Sequence, residues 1–510
     1  MRDKEKRLKK ICFAIFVIAL FIDTAVLGLF QWFKDSYGVT FREIIYTIKS
    51  PLSGANSSFF LTSAKYVWPK VAVFVLIVAV VYFVLFGLSK IISFDVFVKG
   101  RSGAEKKCDG LCAVSFALML IAAALAFVTL RDINKRLDIT GFIRDYNART
   151  QIYDDYYVMP DVAALEPKEG HAKNLLYIYM ESMETTYASR DVGGEQPEIN
   201  YIPNLTRLAN ENVSFSDEEG LGGFISAMNT DWTMSAIWAT ETGAAFAFPI
   251  EGNSDFGNQE HFAKNTLTLG DILEQKGYTQ EFLCGSDAKF GGRKAFFEQH
   301  GNFRVYDLYT AEDEGYLTPS EEVNWGIEDW RLYEIAKDEL TRIAAEGQPF
   351  NFTMLTVDTH HFDGWICPRC EDTYPEQLAN VVTCADKQIG EFIDWCSQQD
   401  WYDDTVIIIQ GDHPRMDQSL VSYAKDRMVY NCFINADCDP STLDMKNRSW
   451  NTMDMFPTIL SAMGFEVPDS RLGLGTDMFS GKKTLCETIG SDYIDVEVMK
   501  YSQFYADNFY

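Results

Sequence analysis

The sequence has little positive charge for its size. Its 510 residues include 45 Lys and Arg against 73 Asp and Glu, so the formal net charge is −28. Proteins bind nucleic acids through basic surfaces that neutralise phosphates, and this composition therefore argues against DNA or RNA as a partner. An acidic protein can still act on a phosphate-containing substrate where a metal ion supplies positive charge locally.

The first 130 residues lack the acidic character of the rest and contain three long apolar runs, at about 11–30, 69–88 and 111–130. Each is roughly long enough to span a bilayer. A cleaved signal peptide explains the first run poorly, because two more runs follow and no small-residue cleavage site stands out. Three such runs within 130 residues also argue against core helices of a soluble protein. We therefore predict a membrane domain with three transmembrane helices over residues 1–130.

The orientation of this domain follows from its basic residues. Six Lys and Arg lie within the first ten residues, which places the N-terminus in the cytoplasm. Three crossings then put the remaining chain outside the cell membrane. We predict a juxtamembrane helix and linker over residues 131–172 and an extracytoplasmic domain over residues 173–510.

Cysteine usage fits an external location without proving it. Eight of the eleven cysteines lie in the predicted external domain, an even number that permits disulfides. Cys367-Pro-Arg-Cys370 has the spacing of half a zinc site, but no second Cys-x-x-Cys completes it. The sequence favours a local disulfide or free thiols there.

From residue 173 onward, apolar strands alternate with helical stretches. This order predicts an α/β domain with a mostly parallel central sheet and helices on both faces. The predicted strands are Asn174–Met180, Tyr278–Cys284, Phe350–Val357 and Thr405–Gln410. The predicted helices are Pro203–Glu211, Leu267–Gly277, Leu378–Gln398 and Asp454–Met463.

Charged side chains follow two of these strands directly. Glu181 comes after Asn174–Met180, and Asp412 with His413 comes after Thr405–Gln410 and Gly411. Open parallel sheets build their sites at the carboxyl ends of strands. A carboxylate in such a place can also simply cap the next helix. Two strands that both run into metal-type ligands nevertheless predict one shared ion.

A third candidate is Thr233, which precedes the apolar stretch Met234–Ala239. That stretch predicts a helix, and the polar residues before it predict its start. A hydroxyl at a helix N-terminus and facing a metal is well set to attack phosphorus. The alternative is an ordinary helix-capping threonine, a role that Thr230 would serve equally well.

Only six histidines occur in the chain, so their placement carries weight. His413 adjoins Asp412, and His360 and His361 follow the strand predicted at Phe350–Val357. These positions favour chemistry over packing, although a histidine can also lie on the surface without a role. Oxygen ligands with a single imidazole suit Mn²⁺ or Mg²⁺ better than a thiolate-loving ion, and Zn²⁺ stays open.

In this order, the motifs resemble the membrane phosphoglycerol transferases of the alkaline phosphatase/sulfatase superfamily. That group includes lipoteichoic acid synthase and the phosphoglycerol transferase that modifies periplasmic glucans, and the likeness is closer to the glucan type. Each motif alone is weak, and the ordered set is specific. The motifs are Tyr-Met-Glu-Ser-Met-Glu around Glu181, Asp-Trp-Thr-Met-Ser around Thr233, Asp287–Arg293, His300-Gly301, Asn324-Trp325-Gly326, Leu355–Asp363 and Asp412-His413.

The resemblance implies an alkaline phosphatase/sulfatase-like fold and a double displacement. Thr233 would take a phosphoglycerol group from phosphatidylglycerol and release diacylglycerol. A hydroxyl of a cell-surface glycan or teichoic-acid-type polymer would then accept the group. The metal ligands implied are Glu181, Thr233, Asp412 and His413. The substrate-binding residues implied are His360, Asp287, Arg293, His361 and Trp232.

Three other functions stay open at this stage. A phosphoethanolamine transferase would share fold, metal and membrane anchor but take a different headgroup. A hydrolase, either a phosphodiesterase or a sulfatase, is the second, but a sulfatase of the usual kind needs a C/S-x-P-x-R pentapeptide, and none lies near Thr233. The third is an inactive membrane sensor or binding protein, which would be expected to lose at least one of the four metal ligands.

Overall fold

The computed structural model describes residues 2–37, 41, 44–45, 57–99, 105–168, 170–247, 262–323, 325–360, 363–416, 420–421 and 427–510. The chain divides into two compact units. The first comprises Met1–Phe41 and Asn56–Phe142, and the second comprises Arg42–Ala55 and Ile143–Tyr510.

The first unit is built from long apolar helices. Three helical spans, Lys4–Trp32, Ser63–Gly87 and Gly110–Leu137, are long and apolar enough to cross a membrane, and they coincide with the three predicted runs. A wide π-type turn at Ile22–Val26 interrupts the first of them. The elements of this unit are α1 (Arg2–Phe21), α2 (Leu27–Tyr37), α3 (Ser57–Tyr82), the hairpin of β1 (Asp95–Lys99) and β2 (Glu105–Asp109), and α4 (Gly110–Leu137).

Helices α1 and α4 pack through small side chains. Ala19 of α1 and Ala122 and Ala126 of α4 are buried in one apolar cluster with Phe16, and small residues between helices let their backbones approach closely. The Thr129 hydroxyl donates a 3.0 Å hydrogen bond to the carboxylate of Asp23. The acidic residue inside the first span therefore faces the neighbouring helix.

The second unit is organised around a six-stranded sheet in the order β10-β8-β3-β7-β5-β6. The five strands from β8 to β6 are parallel, and only edge strand β10 runs antiparallel to its neighbour. The α/β class and the mostly parallel sheet predicted from the sequence are confirmed. The sheet strands are β3 (Asn174–Met180), β5 (Thr279–Cys284), β6 (Arg304–Tyr306), β7 (Phe350–Leu355), β8 (Thr405–Gly411) and β10 (Asn431–Ile434); short pairs are formed by β4 (Phe224–Ile225) with β9 (Met428–Val429) and by β11 (Arg471–Leu472) with β12 (Gly475–Thr476).

Helices cover both faces of this sheet. Tyr177 and Tyr179 of β3 join one buried cluster, and Leu176 and Ile178 join the other, as the two-residue side-chain period of a strand requires. The helices that follow α4 along the chain are α5 (Ile139–Asn147), α6 (Ile152–Tyr156), α7 (Pro203–Glu211), α8 (Thr233–Thr242), α9 (Leu269–Gln275), α10 (Arg293–Gln299), α11 (Leu308–Asp313), α12 (Asp329–Ala345), α13 (Gln377–Cys396), α14 (Met455–Ala462), α15 (Leu485–Ile489), α16 (Ser491–Val498) and α17 (Gln503–Phe509).

The strand predicted at Phe350–Val357 is two residues too long. Strand β7 ends at Leu355. The Thr356 N–H still donates to the Tyr179 carbonyl of β3 at 3.0 Å, whereas the next N–H, that of Val357, is committed to a side chain. The Thr356 hydroxyl accepts a 3.1 Å hydrogen bond from the Glu181 N–H, and the Val357 N–H donates a 2.7 Å hydrogen bond to the Asp329 carboxylate. The apolar pattern of the sequence does not reveal these polar contacts, so the predicted strand was too long.

Glu241 lies near the end of α8. The pH dependence of its effect on stability tests whether its carboxyl is buried in the folded domain. Burial raises the pKa of its carboxyl from 4.5 to about 8, and Asp271 adds to the rise, although the Gly270 N–H opposes it. The folded state therefore binds a proton that the unfolded chain releases between pH 4.5 and 8, and stability falls as pH rises through this window. We expect Glu241→Gln to raise the thermal midpoint above that of the wild type increasingly from pH 5 to pH 8, because the wild type loses up to about 1.4 kcal/mol of unfolding free energy per pH unit in this window.

Thermal unfolding of the detergent-solubilised chain, followed by tryptophan fluorescence, measures this difference. Exposed Glu274 on α9 offers a matched control, and Glu274→Gln is expected to leave the midpoint unchanged at both pH values. A Glu241→Gln difference that does not vary with pH would contradict the assignment.

Candidate metal and nucleophile site

The register between β3 and β8 brings Glu181 and Asp412 side by side. Met180 pairs with Gly411 at the end of the two parallel strands, so the next residue of each strand leaves the sheet at the same level. The backbone N–H of Ser182 donates a 2.8 Å hydrogen bond to Oδ1 of Asp412. Two residues far apart in the chain thus become neighbours at the carboxyl edge of the sheet.

His413 completes a buried group with these carboxylates. Its Nε2 lies 3.3 Å from Oδ2 of Asp412 and 3.8 Å from Oε1 of Glu181. One ligand atom from each residue lies within 4.8 Å of the others, and all three side chains are buried. The Nδ1 of His413 contacts the carbonyl oxygen of Pro414 at 2.9 Å, which leaves Nε2 facing the carboxylates.

Thr233 is the first residue of α8, and its hydroxyl points at this group. Oγ1 lies 3.4 Å from Oε2 of Glu181 and 3.5 Å from Nε2 of His413. The helix start is capped by Ser235 instead, whose hydroxyl accepts from the Trp232 N–H and donates to the Trp232 carbonyl. The capping alternative raised from the sequence therefore does not account for the orientation of Thr233.

The three ionisable groups shift one another's proton affinity. Burial, and then the charge of Glu181, raise the pKa of Asp412 to about 7. Burial acts to raise the pKa of Glu181 too, but the charges of His360 and His413 and the Ser182 hydroxyl outweigh it, so the pKa lies below its usual value. Burial acts to lower the pKa of His413, yet the two carboxylates hold it above its usual value.

These residues fit a divalent cation. Oδ2 of Asp412 is buried and makes no hydrogen bond with the described residues, although it faces His413. A buried carboxylate oxygen without a donor is costly unless a cation neutralises it. The donor set of carboxylate oxygens, one imidazole nitrogen and the nearby hydroxyl is one that Mn²⁺, Mg²⁺ or Zn²⁺ accepts.

His360 lies at the edge of this group. It is half-buried, its ring centroid is 4.6 Å from that of Trp325, and Trp325 in turn packs 5.4 Å from Phe290. The rings connect the loop after β7 with the loop after β5. The charge of His360 also reaches Glu181, as the lowered pKa of that carboxyl indicates.

Asp287 and Arg293 lie outside the ligand group; Asp287 is in the loop after β5, and Arg293 is the first residue of α10. The Arg293 side chain donates to the Phe290 carbonyl at 3.1 Å and to the Ser286 hydroxyl at 3.0 Å, and Oδ1 of Asp287 accepts from the Lys289 N–H at 2.8 Å. Both side chains are buried and shape their own loop. That loop passes α8 closely, since a Cβ on Gly291 would lie 4.0 Å from the Cβ of Met234.

The two remaining residues that were predicted to bind substrate are Trp232 and His361. The Trp232 ring packs edge-on against Phe246, with 5.6 Å between the ring centroids. This ring contact is part of the packing of the core. His361 lies outside the described residues, as does Asn324 of the Asn-Trp-Gly motif.

Sequence reasoning missed Arg415, which is 1% exposed. It follows His413 by two positions and donates a 2.7 Å hydrogen bond to the carbonyl of Thr359, and its charge helps to lower the pKa of Glu181. Arg415 could have been identified from the sequence, because it lies just beyond the end of a predicted strand, where the sequence already predicted a site. Nearby Glu184 is paired with Arg427, whose Nε donates at 2.8 Å.

Sequence reasoning also missed a reciprocal carboxylate pair that anchors the loop carrying His360. Asp329 accepts hydrogen bonds from the N–H groups of Val357 and Asp358, and Asp358 accepts one from the N–H of Asp329 at 3.1 Å. Burial raises the pKa of Asp329 to about 7 and raises that of Asp358 well above its usual value. The pair ties the start of α12 to the end of β7.

Comparison with known proteins gives matches over most of the chain. The chain is 30% identical over 447 residues to "Phosphoglycerol transferase I" of Salmonella choleraesuis, an alignment that covers 86% of this chain and 53% of the relative. The same name and identity recur for a Salmonella typhimurium relative over 448 residues. The chain thus spans about half the length of these curated relatives.

Solved structures of similar proteins include the lipoteichoic acid synthase LtaP of Listeria monocytogenes, with 21% identity, a TM-score of 0.49, and coverage of 64% of this chain and 80% of that one. Another is a Vibrio parahaemolyticus protein of the alkaline phosphatase superfamily, with 23% identity, a TM-score of 0.45, and coverage of 60% and 72%. The family model described as Sulfatase matches residues 173–465, which is more than half of the chain and includes all four proposed ligands. The chain belongs to the sulfatase family.

Proposed function

We propose that this protein transfers a phosphoglycerol group from phosphatidylglycerol to a hydroxyl of a cell-surface glycan or teichoic-acid-type polymer. Diacylglycerol leaves in the first step, and Thr233 carries the group between the two steps. Glu181, Thr233, Asp412 and His413 hold the metal ion, for which Mn²⁺ or Mg²⁺ is the first candidate and Zn²⁺ the second.

One observation carries the proposal: the Thr233 hydroxyl lies at a helix N-terminus and within 3.5 Å of both Glu181 and His413. Backbone N–H groups at the start of α8 favour an anion there. A hydroxyl so placed can act as a nucleophile toward phosphorus, whereas a merely structural threonine would have satisfied the helix cap.

Thr233 takes part in both displacement steps. Its hydroxyl gives up its proton as Oγ1 attacks phosphorus, the bond from phosphorus to the diacylglycerol oxygen breaks, and that oxygen takes up a proton. The acceptor hydroxyl then gives up its proton as its oxygen attacks the same phosphorus, the bond from phosphorus to Oγ1 breaks, and Oγ1 regains a proton. When bound, the cation would neutralise charge on the phosphoryl oxygens and favour the ionised hydroxyl. His360 borders the site and offers a cationic partner to a phosphate.

The apolar helices and the relatives support the choice of donor. A substrate that lives in the bilayer suits a chain whose first unit contains three apolar helices of spanning length. The relatives named phosphoglycerol transferase I, at 30% identity, favour a phosphoglycerol donor over other headgroups. The absence of a C/S-x-P-x-R pentapeptide near Thr233 disfavours a sulfatase of the usual kind.

The covalent intermediate can be trapped. Purified protein incubated with phosphatidylglycerol, without acceptor, is expected to release diacylglycerol and to gain a phosphoglycerol group on Thr233, detected by peptide mass spectrometry. Thr233→Val keeps the side-chain shape but removes the nucleophilic oxygen, so it is expected to abolish the adduct and to lower turnover by at least about a thousandfold.

Two comparisons sharpen this test. Thr233→Ser retains a hydroxyl and is expected to form the same adduct at this position, more slowly. Phosphatidylethanolamine offered in parallel is expected to give no adduct; a phosphoethanolamine group on Thr233 would favour the alternative transferase. Normal turnover with an unmodified Thr233 would refute the mechanism.

Metal binding is expected to weaken as pH falls. The raised pKa values of Asp412 and His413 mean that protons compete with the cation around and below neutral pH. We expect the Mn²⁺ affinity, measured by calorimetry, to fall by about tenfold per pH unit below pH 7 for each proton displaced. Asp412→Asn is expected to lose most of the affinity, whereas Asp400→Asn, at an exposed position, is expected to retain it. Equal Mn²⁺ affinity at pH 6 and pH 8 would contradict this ligand set.

We also propose that the N-terminus is cytoplasmic and the second unit extracytoplasmic, because basic residues crowd the N-terminus. Protease added to sealed right-side-out membrane vesicles is expected to remove a C-terminal epitope and to spare an N-terminal one. Permeabilised vesicles, in which both epitopes become accessible, are the control. Protection of the C-terminal epitope would reverse the topology.

A further inference from the structure

Three cysteines meet away from the proposed active site. Cys367 and Cys370 lie in the segment between β7 and α13, and Cys384 lies on α13. The sulfur of Cys367 is 3.8 Å from that of Cys384 and 3.6 Å from that of Cys370. All three sulfurs lie within 4.8 Å of one another, and none of the three cysteines forms a disulfide.

These distances match a shared metal ion better than a disulfide. A tetrahedral site with Zn–S bonds of about 2.3 Å has sulfur–sulfur separations of ~3.8 Å. A disulfide joins only two sulfurs, at about 2.05 Å. The third cysteine comes from another element, and this is the partner that the sequence alone did not supply for the Cys-Pro-Arg-Cys motif.

The surroundings supply hydrogen-bond donors to the sulfurs. Nε2 of Gln388, one turn along α13, lies 3.2 Å from the sulfur of Cys384 and 3.9 Å from that of Cys367. Backbone N–H groups of Arg369 and Cys370 also donate to the Cys367 sulfur. Donors of this kind orient metal-bound thiolates and stabilise their negative charge.

We propose that Cys367, Cys370 and Cys384 bind one soft divalent cation, with Zn²⁺ the best match, at a site separate from the Glu181 group. Thiolates select such an ion, whereas the carboxylate-rich group selects a harder one. Among the described residues, no further Cys, His, Asp or Glu joins the three, and half-exposed Cys370 leaves the fourth position to water.

The ion would hold the segment between β7 and α13 in place. Within this segment the backbone N–H of Trp365 donates to the Asp358 carbonyl at 2.7 Å, and the side chain of Gln377, at the start of α13, donates to the Gly364 carbonyl at 2.9 Å. His360 lies at the beginning of the same segment. A cation that joins Cys367 and Cys370 to Cys384 would therefore attach this part of the segment to α13. The attachment would restrict the loop that carries His360.

Cobalt substitution tests the site without relying on activity. Full-length protein, purified in detergent under reducing conditions and stripped with a chelator, is titrated with Co²⁺. Thiolate ligation gives a near-ultraviolet charge-transfer band that an oxygen and nitrogen site lacks. We expect this band to reach the absorbance of one thiolate-bound Co²⁺ per chain, within the two equivalents that the two proposed sites can take up, and to disappear when Zn²⁺ is added. Cys384→Ser is expected to reduce the band by about a third or abolish it, and Cys438→Ser, outside the cluster, is expected to retain it.

A second measurement uses the unmodified protein, so that a misfolded variant cannot decide the outcome. Zn²⁺ is expected to protect Cys367, Cys370 and Cys384 from alkylation, and chelation is expected to expose them. The Glu181→Gln, Asp412→Asn double variant is expected to keep the thiolate band, which separates this site from the proposed function. A native Cys367–Cys370 disulfide without metal, or three thiols that bind neither ion, would overturn the proposal.

Discussion

The parallel pairing of β3 with β8 is the constraint on which the site depends. Seven consecutive residue pairs, from Asn174 with Thr405 to Met180 with Gly411, fix where each strand ends. Alternate residues of β3 belong to two different buried clusters, so a slip of one residue would move each side chain to the wrong face of the sheet. Packing on both faces of the sheet therefore fixes the register of β3 against β8. This register places Glu181 and Asp412 next to each other at the carboxyl edge of the sheet.

Buried acidic residues near this edge fall into two kinds. Glu184 is 0% exposed, yet Arg427 pairs with it and the Arg415 N–H donates to it, so its charge is compensated within the protein. Asp412 is equally buried, but its Oδ2 has no hydrogen-bond donor among the described residues. Placing a second carboxylate, Glu181, beside it raises the cost further. A structural role explains the first arrangement, whereas the second is stable only with a proton or a cation.

Local patterns predicted those parts of the fold that depend on short stretches of sequence. The bounds of β3 and α7 agree with the predicted segments, and the three neighbouring residues Glu181, Asp412 and His413 were singled out because strand ends can be read from sequence. Contacts between distant segments could not be read in this way. Apolar edge strand β10 runs antiparallel, and nothing in its own sequence specifies that direction. Similarly, the partner of Asp329 is Asp358, which lies 29 positions away and just beyond the strand predicted at Phe350–Val357.

The loop after β7 shows why these distant contacts matter for chemistry. A histidine on a long connection would ordinarily sample many positions, and each misplacement weakens its interaction with a charge that develops during reaction. Here the Asp329–Asp358 pair fixes the loop immediately before His360, and Trp325 packs against the His360 ring. Beyond it, Trp365 bonds back to Asp358, so the loop closes on itself. The position of His360 is therefore set by contacts on both sides along the chain, and not by its immediate neighbours alone.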